Sequence, residues 1–183
     1  MLYMNKKSIQ KIGIALVLSG MMACGGIAMT AAPVAHAATK ETILSRQEAL
    51  DIAQKKVKGT LLKTELDEDD GRLIYEIEIL NASNTKYDMD IDALSGKILK
   101  TKTIKYKKQK AEKLRSAKIS HNKAIEAAKK DTGASTLILC ELDIENGKLI
   151  YELDLRDGKR TEYEVIVDAA TGKVLFSDMD YDD

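Results

Sequence analysis

Hydrophobic and polar residues alternate along four segments of this chain, which is the period of a β-strand with one buried face. The first pair of segments is RLIYEIEIL (72–80) and KYDMDID (86–92). A second pair, KLIYELDLR (148–156) and EYEVIVD (162–168), carries the same alternation. We therefore predict two antiparallel meanders, each with one face packed on a helix and the other in water.

The two halves of the chain repeat each other. LIYE occurs at 73–76 and again at 149–152, and DALSGKIL at 92–99 is matched by DAATGKVL at 168–175. The sequence therefore contains two copies of one unit of roughly 60 residues, a size that folds alone only marginally.

A helix signal opens each copy. Ser45 followed three residues later by Glu48 is a capping box, and Gly59 stands where that helix should stop. The second helix should begin after Ser120 and stop at Gly133, with a lysine in place of the acid of the box. We expect the second helix to be the weaker one.

Turn chemistry supports the meanders. Asp70-Gly71 and Asn146-Gly147 precede the LIYE strands and Asp157-Gly158 follows the second, and each pair is predicted to supply positive φ values. Gly96 and Gly172 provide the left-handed residue after DALS and DAAT. The SGK and TGK triplets do not form a phosphate loop, because the GxxxxGK[ST] pattern is absent.

Taken together, the capped helix, the YE strand pair and the closing DA.tGkil motif resemble the PepSY domain, in both copies. The resemblance implies a small α+β unit found in propeptides of secreted metallopeptidases and in bacterial envelope proteins, with an inhibitory or chaperone-like role toward proteases and no catalytic residues.

The expected fold is α+β, with two tandem repeats of one N-terminal helix on three or four antiparallel strands. The expected segments are a signal peptide (1–37), repeat 1 (40–101), a basic linker (102–117), repeat 2 (118–178) and an acidic tail (179–183).

The N-terminus carries an export signal. Basic residues precede an apolar run and the small-residue stretch Ala35-His36-Ala37, which favours cleavage after Ala37. Lipidation at Cys24 and retention of the run as a membrane anchor are the alternatives. The protein is thus expected to be secreted or to lie on the outer face of the cell envelope.

Catalytic motifs are missing from the sequence. Beyond the signal, the chain has one histidine, His121, and one cysteine, Cys140, and neither HExxH nor GxSxG occurs. We expect His121 to be exposed in the first helical turn, so that its replacement by alanine is neutral, and Cys140 to be buried and inert. The protein is therefore predicted not to be an enzyme.

Acidic residues occupy the polar phase of the strands. They are weak candidates for a calcium site, and no other cofactor is expected. The alternative is that lysines such as Lys63 and Lys100 neutralise them. The candidate residues are Glu76, Glu78, Asp88, Asp90, Glu152, Asp154, Glu162 and Glu164.

Charge is divided into blocks along the chain. Residues 101–118 contain eight basic residues and one acidic residue, whereas residues 119–183 contain eight basic and fifteen acidic residues. The connector is a solvated linker or helix, or it contacts anionic membrane or cell-wall polymers through 102–118. We expect no nucleic-acid partner.

The leading hypothesis is an exported protein that binds and restrains a protease, and the alternative is a cation-binding or wall-associated module.

Overall fold

The computed structural model describes residues 42–159 and 161–180. These described residues form one compact unit. The helices are α1 (Arg46–Lys56), α2 (Lys108–Arg115) and α3 (His121–Thr132). The strands are β1 (Thr60–Asp69), β2 (Arg72–Leu80), β3 (Thr85–Asp92), β4 (Ile98–Lys105), β5 (Thr136–Glu145), β6 (Lys148–Arg156), β7 (Glu162–Asp168) and β8 (Val174–Asp180).

All eight strands belong to one antiparallel sheet, in the order β4-β3-β2-β1-β5-β6-β7-β8. Repeat 1 supplies α1 and β1–β4, and repeat 2 supplies α3 and β5–β8, so the predicted α+β class with tandem helix-on-sheet units is confirmed. The sequence did not predict that the two four-stranded meanders would join. They do so through β1 and β5, whose pairing covers Lys63 with Glu141, Thr64 with Cys140, and Glu65 with Leu139.

Each repeat packs its helix on the apolar phase of its own meander. In repeat 1, Ala49 and Ala53 of α1 share a buried cluster with Tyr75, Ile77 and Met89. In repeat 2 the matching cluster contains Ala124 and Ala128 of α3 and the equivalent strand residues Tyr151, Leu153 and Val165. Small residues on the helices let them approach the sheet closely, which leaves the larger strand residues to fill the core.

The two repeated tyrosines fix the segment before each helix. Tyr75 donates its hydroxyl hydrogen to the Leu44 carbonyl at 2.8 Å, and Tyr151 donates to the Ile119 carbonyl at 2.8 Å. Each bond ties a core strand to the residue just before the N-cap, so the LIYE repeat sets where each helix begins.

The helix ends agree in part with the sequence signals. Ser45 and Glu48 form the complete capping box, and Gly133 ends α3 with a φ of 73°. Helix α1, however, ends at Lys56, with Val57 in extended conformation at its C-cap. Gly59 serves a different purpose, because a Cβ atom there would lie 2.2 Å from the Leu80 carbonyl oxygen.

Two of the three predicted hairpin turns have the expected backbone. Asp70-Gly71 has φ values of 51° and 75°, and Asn146-Gly147 has 49° and 76°. The prediction for Asp157-Gly158 is wrong, since neither residue has a positive φ. There the Asp157 carboxylate instead accepts hydrogen bonds from the backbone N–H groups of Lys159 and Thr161, which stabilise the turn without a left-handed residue.

The basic connector is ordered. Residues 102–105 belong to β4 and residues 108–115 form helix α2. Ala111 and Leu114 of this helix are buried in one cluster with Leu62, Leu80 and Leu142. Arg115 donates to the Asn81 carbonyl oxygen at 2.5 Å and to the Asn84 side-chain oxygen at 2.9 Å. The helix therefore covers the place where the end of β2 and the start of β1 meet β5.

The expected signal peptide, Cys24, the cleavage point after Ala37 and any retained anchor lie outside the described residues, as do residues 181–183 of the expected tail. Within the described segments, none of the helices has the length and apolar character needed to cross a bilayer.

Candidate functional site

The face of the sheet opposite α1 and α3 carries the acidic residues singled out in the sequence, and we call it the acidic face. In repeat 1, Glu76 pairs with Asp90 and Glu78 with Asp88 across β2 and β3. Opposed carboxylates of this kind repel each other, so their neighbours decide whether the arrangement is stable.

Lysines from three strands lie among the acids of repeat 1. Lys63 Nζ is 2.6 Å from Glu65 and 3.0 Å from Glu76, and Lys86 forms an ion pair with Glu78. Lys100 on the edge strand lies 3.5 Å from Asp90. The carboxylates that hold Lys63 raise its pKa above the ordinary value, although its burial acts in the opposite direction. Repeat 1 therefore has internal counter-ions, as the charge-neutralisation alternative expects.

Repeat 2 lacks the equivalent lysines. The positions that match Lys63, Lys86, Lys100 and Lys102 of repeat 1 are Leu139, Glu162, Phe176 and Asp178. The register is the same, since Glu164 faces Asp178 where Asp88 faces Lys102. The outer strand of the acidic face is therefore basic in repeat 1, where it is β4, and acidic in repeat 2, where it is β8.

Asp154 is a strongly perturbed carboxyl of the acidic face. It pairs with Glu164 across β6 and β7. Burial raises the pKa of Asp154 to about 7, and the neighbouring Glu152 and Glu164 carboxylates add to the effect. The equivalent residue of repeat 1, Glu78, has Lys86 as its partner. The other two candidate residues of repeat 2, Glu152 and Glu162, do not face another acid across β6 and β7. Glu162 faces Arg156 and forms an ion pair with it, and Glu152 faces Ile166.

Three candidate metal ligands come together in repeat 1. One carboxylate oxygen from each of Glu76, Glu78 and Asp88 lies within 4.8 Å of the others. Hard oxygen donors at this spacing suit calcium. The ammonium groups of Lys63 and Lys86 are bonded to two of these carboxylates, however, and a cation would have to displace them.

His121 is buried, which contradicts the expected exposed position. The side chain is 8% exposed, its Nε2 atom lies 3.2 Å from the Leu62 carbonyl oxygen, and its ring meets the Tyr151 ring edge-on at 4.8 Å. Burial lowers the pKa of His121 to about 4, so it is neutral at pH 7. The cause is tertiary: the first turn of α3 sits against β1 of the other repeat.

Cys140 is buried, as expected, at the junction of the repeats. Burial raises the pKa of its thiol to about 12, which leaves it in the unreactive thiol form at neutral pH.

The lysines of the connector have protein partners at several points. Lys113 donates to the Gly147 carbonyl oxygen at 2.6 Å, Lys105 donates to the Ser83 carbonyl oxygen, and Lys110 lies 4.5 Å from the centre of the Tyr106 ring. Part of the basic segment therefore has partners within the protein itself.

Strands β4 and β8 are the two outer edges of the sheet. Both expose large apolar side chains: Leu99 and Ile104 on β4 are 39% and 47% exposed, and Leu175 and Met179 on β8 are 49% and 44% exposed. Edge strands offer unpaired backbone groups to a partner strand.

Two further residues were missed in the sequence. Arg46 of α1 and Thr64 of β1 line a cavity at the junction of the repeats. Thr64 was detectable in principle, because LLKTEL places a polar residue on the apolar phase of a strand. Nothing in the local pattern indicated that α3 would approach the same place.

Comparison with known proteins gives the family. The model of PepSY, described as peptidase propeptide and YPEB domain, matches residues 43–102 and 118–178. The chain is 30% identical over 169 residues to YkoJ of Bacillus subtilis strain 168, a protein of uncharacterised function, with 90% of this chain and 94% of YkoJ covered. The chain belongs to the PepSY family and contains two copies of its domain.

Solved structures give weaker matches. The alignment with CD1622 from Clostridium difficile 630 covers 77% of this chain and 97% of the CD1622 chain, at 22% identity and a TM-score of 0.48. The alignment with the C-terminal domain of YpeB from Bacillus megaterium covers 78% of this chain and 68% of the YpeB chain, at 16% identity and a TM-score of 0.34.

Proposed function

We propose that this protein is a non-enzymatic, exported binding module that restrains a secreted or envelope protease through an edge of its sheet. The observation that carries the proposal is the pair of outer strands, β4 and β8, each of which exposes large apolar side chains beside unpaired backbone. A peptide strand that adds to such an edge gains main-chain hydrogen bonds, and the alternating side chains provide the specificity.

The chemistry of the buried groups supports a binding role. His121 is held neutral in the core and Cys140 is held as a thiol, so neither is available as a base or a nucleophile at neutral pH. The family to which the chain belongs is named for peptidase propeptides, which favours a peptidase as the partner.

Capture from culture supernatant tests this proposal. The chain from residue 38 is immobilised, bound proteins are eluted, and the activity of any captured peptidase is measured with and without added protein. We expect captured peptidase activity to fall as the protein is added. Capture of no peptidase, or a captured peptidase that is not slowed, would contradict the proposal.

Matched edge variants locate the contact. Ile104→Glu on β4 and Met179→Lys on β8 introduce charge at exposed edge positions, and Leu94→Lys introduces it at a turn position that is 48% exposed. We expect one of the edge variants to lose inhibition and Leu94→Lys to keep it. Equal effects of all three changes would place the contact elsewhere.

A second candidate function is cation binding at Glu76, Glu78 and Asp88, favoured by their spacing within 4.8 Å. Calorimetric titration with calcium tests it. Saturable binding at millimolar concentration or below, lost in Asp88→Asn together with Asp90→Asn, would support it. No heat of binding would leave the edge-binding proposal as the better account.

A further inference from the structure

A cavity lies at the junction of the two repeats, between the helices and the sheet. Its volume is about 230 Å³ and it is partly open to solvent. Residues from both repeats line it, including Arg46 of α1, Thr64 of β1 and Tyr75 of β2 from repeat 1, and Lys129 of α3 and Leu137 of β5 from repeat 2. The cavity therefore exists only because the two repeats join into one sheet.

Two of the residues that line this cavity each carry a buried hydrogen-bonding group with no partner among the residues that the structure describes. These groups are the Thr64 hydroxyl and the Nη1 group of Arg46, and both atoms are shielded from solvent. The Thr64 side chain belongs to a residue that is 1% exposed. A buried polar group without a partner destabilises the folded state, and a charged group does so more strongly. The unmatched pair points to a ligand that supplies the missing acceptors.

The remaining polar groups of the cavity are already bonded. Arg46 Nη2 donates to Asn122 Oδ1 at 2.8 Å, Tyr75 donates its hydroxyl to the Leu44 carbonyl oxygen at 2.8 Å, and Lys129 Nζ donates to the Ser135 carbonyl oxygen at 2.5 Å. These bonds hold the guanidinium in place, which leaves its Nη1 hydrogens as donors without an acceptor.

The charge of the cavity is positive. Arg46 and Lys129 both line it, and the acid among the lining residues is Glu65. Glu65 pairs in register with Glu76 of the acidic face, and its carboxylate lies 2.6 Å from the ammonium group of Lys63. The Glu65 carboxylate is therefore ion-paired on the other face of the sheet, whereas Arg46 and Lys129 belong to the helices on this side.

We propose that this cavity binds a carboxylate carried on a small apolar group. The Thr64 hydroxyl and Arg46 Nη1 are donors without acceptors, a carboxylate offers two acceptor oxygens, and a charged acceptor strengthens both bonds. Leu66, Leu137 and Ile138 also line the cavity and make part of its lining apolar. A free short-chain organic acid has this chemistry, and so does the C-terminus of a peptide that ends in an aliphatic residue. The inference does not depend on whether a peptidase is restrained.

The test is a titration of the chain from residue 38, followed by two-dimensional NMR of its backbone amides. Three probes are used: 4-methylpentanoate, a tetrapeptide that ends in leucine with a free carboxylate, and the same peptide with a C-terminal amide. We expect saturable shifts near Thr64 and Leu137 with one or both carboxylates, and binding of the amide at least tenfold weaker. Saturation by the free acid alone supports a small organic acid, and saturation by the peptide supports a chain terminus.

Two variants remove the proposed donors. Thr64→Val keeps the shape of the side chain, and Arg46→Gln removes the charge, and each should weaken carboxylate binding by at least about tenfold. Thr101→Val on β4 and Arg72→Gln at the β1–β2 hairpin are the exposed controls and should bind as the parent does. Urea unfolding verifies folding, and Thr64→Val should be as stable as the parent or more stable, because it removes an unmatched hydroxyl.

Three results would overturn the proposal. They are the absence of saturable shifts with either carboxylate, equal binding of the acid and the amide, and unchanged binding in a folded Thr64→Val variant.

Discussion

Thr64 of β1 and Cys140 of β5 stand opposite each other, fully buried, at the junction that makes the two repeats one sheet. Three residue pairs form this junction, in contrast to the longer ladders within each repeat. Helix α2 adds to it, because its buried residues share a cluster with residues from both repeats. The two PepSY domains therefore share one sheet and form one compact unit in this protein.

The first prediction concerns the thiol at this junction. Cys140 should react with a thiol reagent at pH 8 only when the sheet opens, because burial excludes the reagent and raises the pKa to about 12. Ellman's reagent measures the rate. A variant that combines Cys140→Ser with Ser177→Cys places the thiol on an exposed edge position and should react at least a hundredfold faster. Similar rates for the two proteins would show that the junction is open in solution.

The second prediction concerns His121. A buried histidine with a pKa of about 4 binds its proton more weakly in the folded state than in the unfolded state, where the pKa is about 6.5. The free energy of unfolding is therefore unaffected by His121 protonation above pH 6.5. It decreases as the pH falls through 6.5 toward 4 and below, by up to about 3 kcal/mol in total. Urea unfolding of His121→Phe should lack this acid-side loss.

Replacement of His121 by alanine should not be neutral. It removes the hydrogen bond to Leu62 and the contact with Tyr151, and we expect a loss of about 1–3 kcal/mol at pH 7. Unchanged stability of the alanine variant would contradict the buried position.

The third prediction concerns Asp154, whose effect has the opposite sign. Its pKa of about 7 lies above the unfolded value, so the folded state binds the proton more tightly and stability falls as the pH rises from 4 to 7. Asp154→Asn should increase the free energy of unfolding at pH 8, on the order of 2 kcal/mol after solvent screening, with little change at pH 4.

The equivalent residue of repeat 1 is the matched control for Asp154. Glu78→Gln should lower stability at pH 8, because it leaves Lys86 without its ion-pair partner in a half-buried site. If both amide variants shift stability in the same direction, the proposed difference between the two halves of the acidic face is wrong. In the parent protein, the opposite pH dependences that His121 and Asp154 give to the free energy of unfolding partly cancel between pH 4 and 7. A variant that removes one of the two residues should therefore show the pH dependence that the other one causes.

The fourth prediction separates two contributions at the repeated glycine turns. Gly96 and Gly172 have φ values of 70° and 76°, so alanine at either costs about 1 kcal/mol of backbone strain. At Gly96 the added Cβ would also lie 2.8 Å from Ile52 Cδ1, whereas at Gly172 the nearest atom is 3.7 Å away. Thermal unfolding should rank Gly96→Ala as the more destabilising change.

Gly71 provides the strain-only reference for this comparison. Its φ is 75° and nothing lies within 4 Å of an added Cβ, so Gly71→Ala should cost as much as Gly172→Ala. Equal losses at Gly96 and Gly172 would mean that Ile52 moves aside without cost.

Much of the architecture could be predicted from the chain itself. The period-two segments, the Ser45 capping box, the Asp70-Gly71 and Asn146-Gly147 turns and the repeat are local signals. Each depends on residues a few positions apart, and the structure has each of them. The prediction failed at two glycines. At Gly158 the Asp157 carboxylate stabilises the turn, and at Gly59 the close approach of the Leu80 carbonyl, not the end of α1, requires a residue without a Cβ atom.

The sequence by itself determined two copies of a capped helix on an antiparallel meander, because periodicity reports which face of each element is apolar. The tertiary structure alone decided that β1 pairs with β5, that His121 is buried against the other repeat, and that Arg46 and Thr64 line one cavity. Those outcomes depend on how two amphipathic units meet. A strand edge has the same backbone donors and acceptors whatever its partner, so the pattern of side chains along one repeat does not specify the contact with the other.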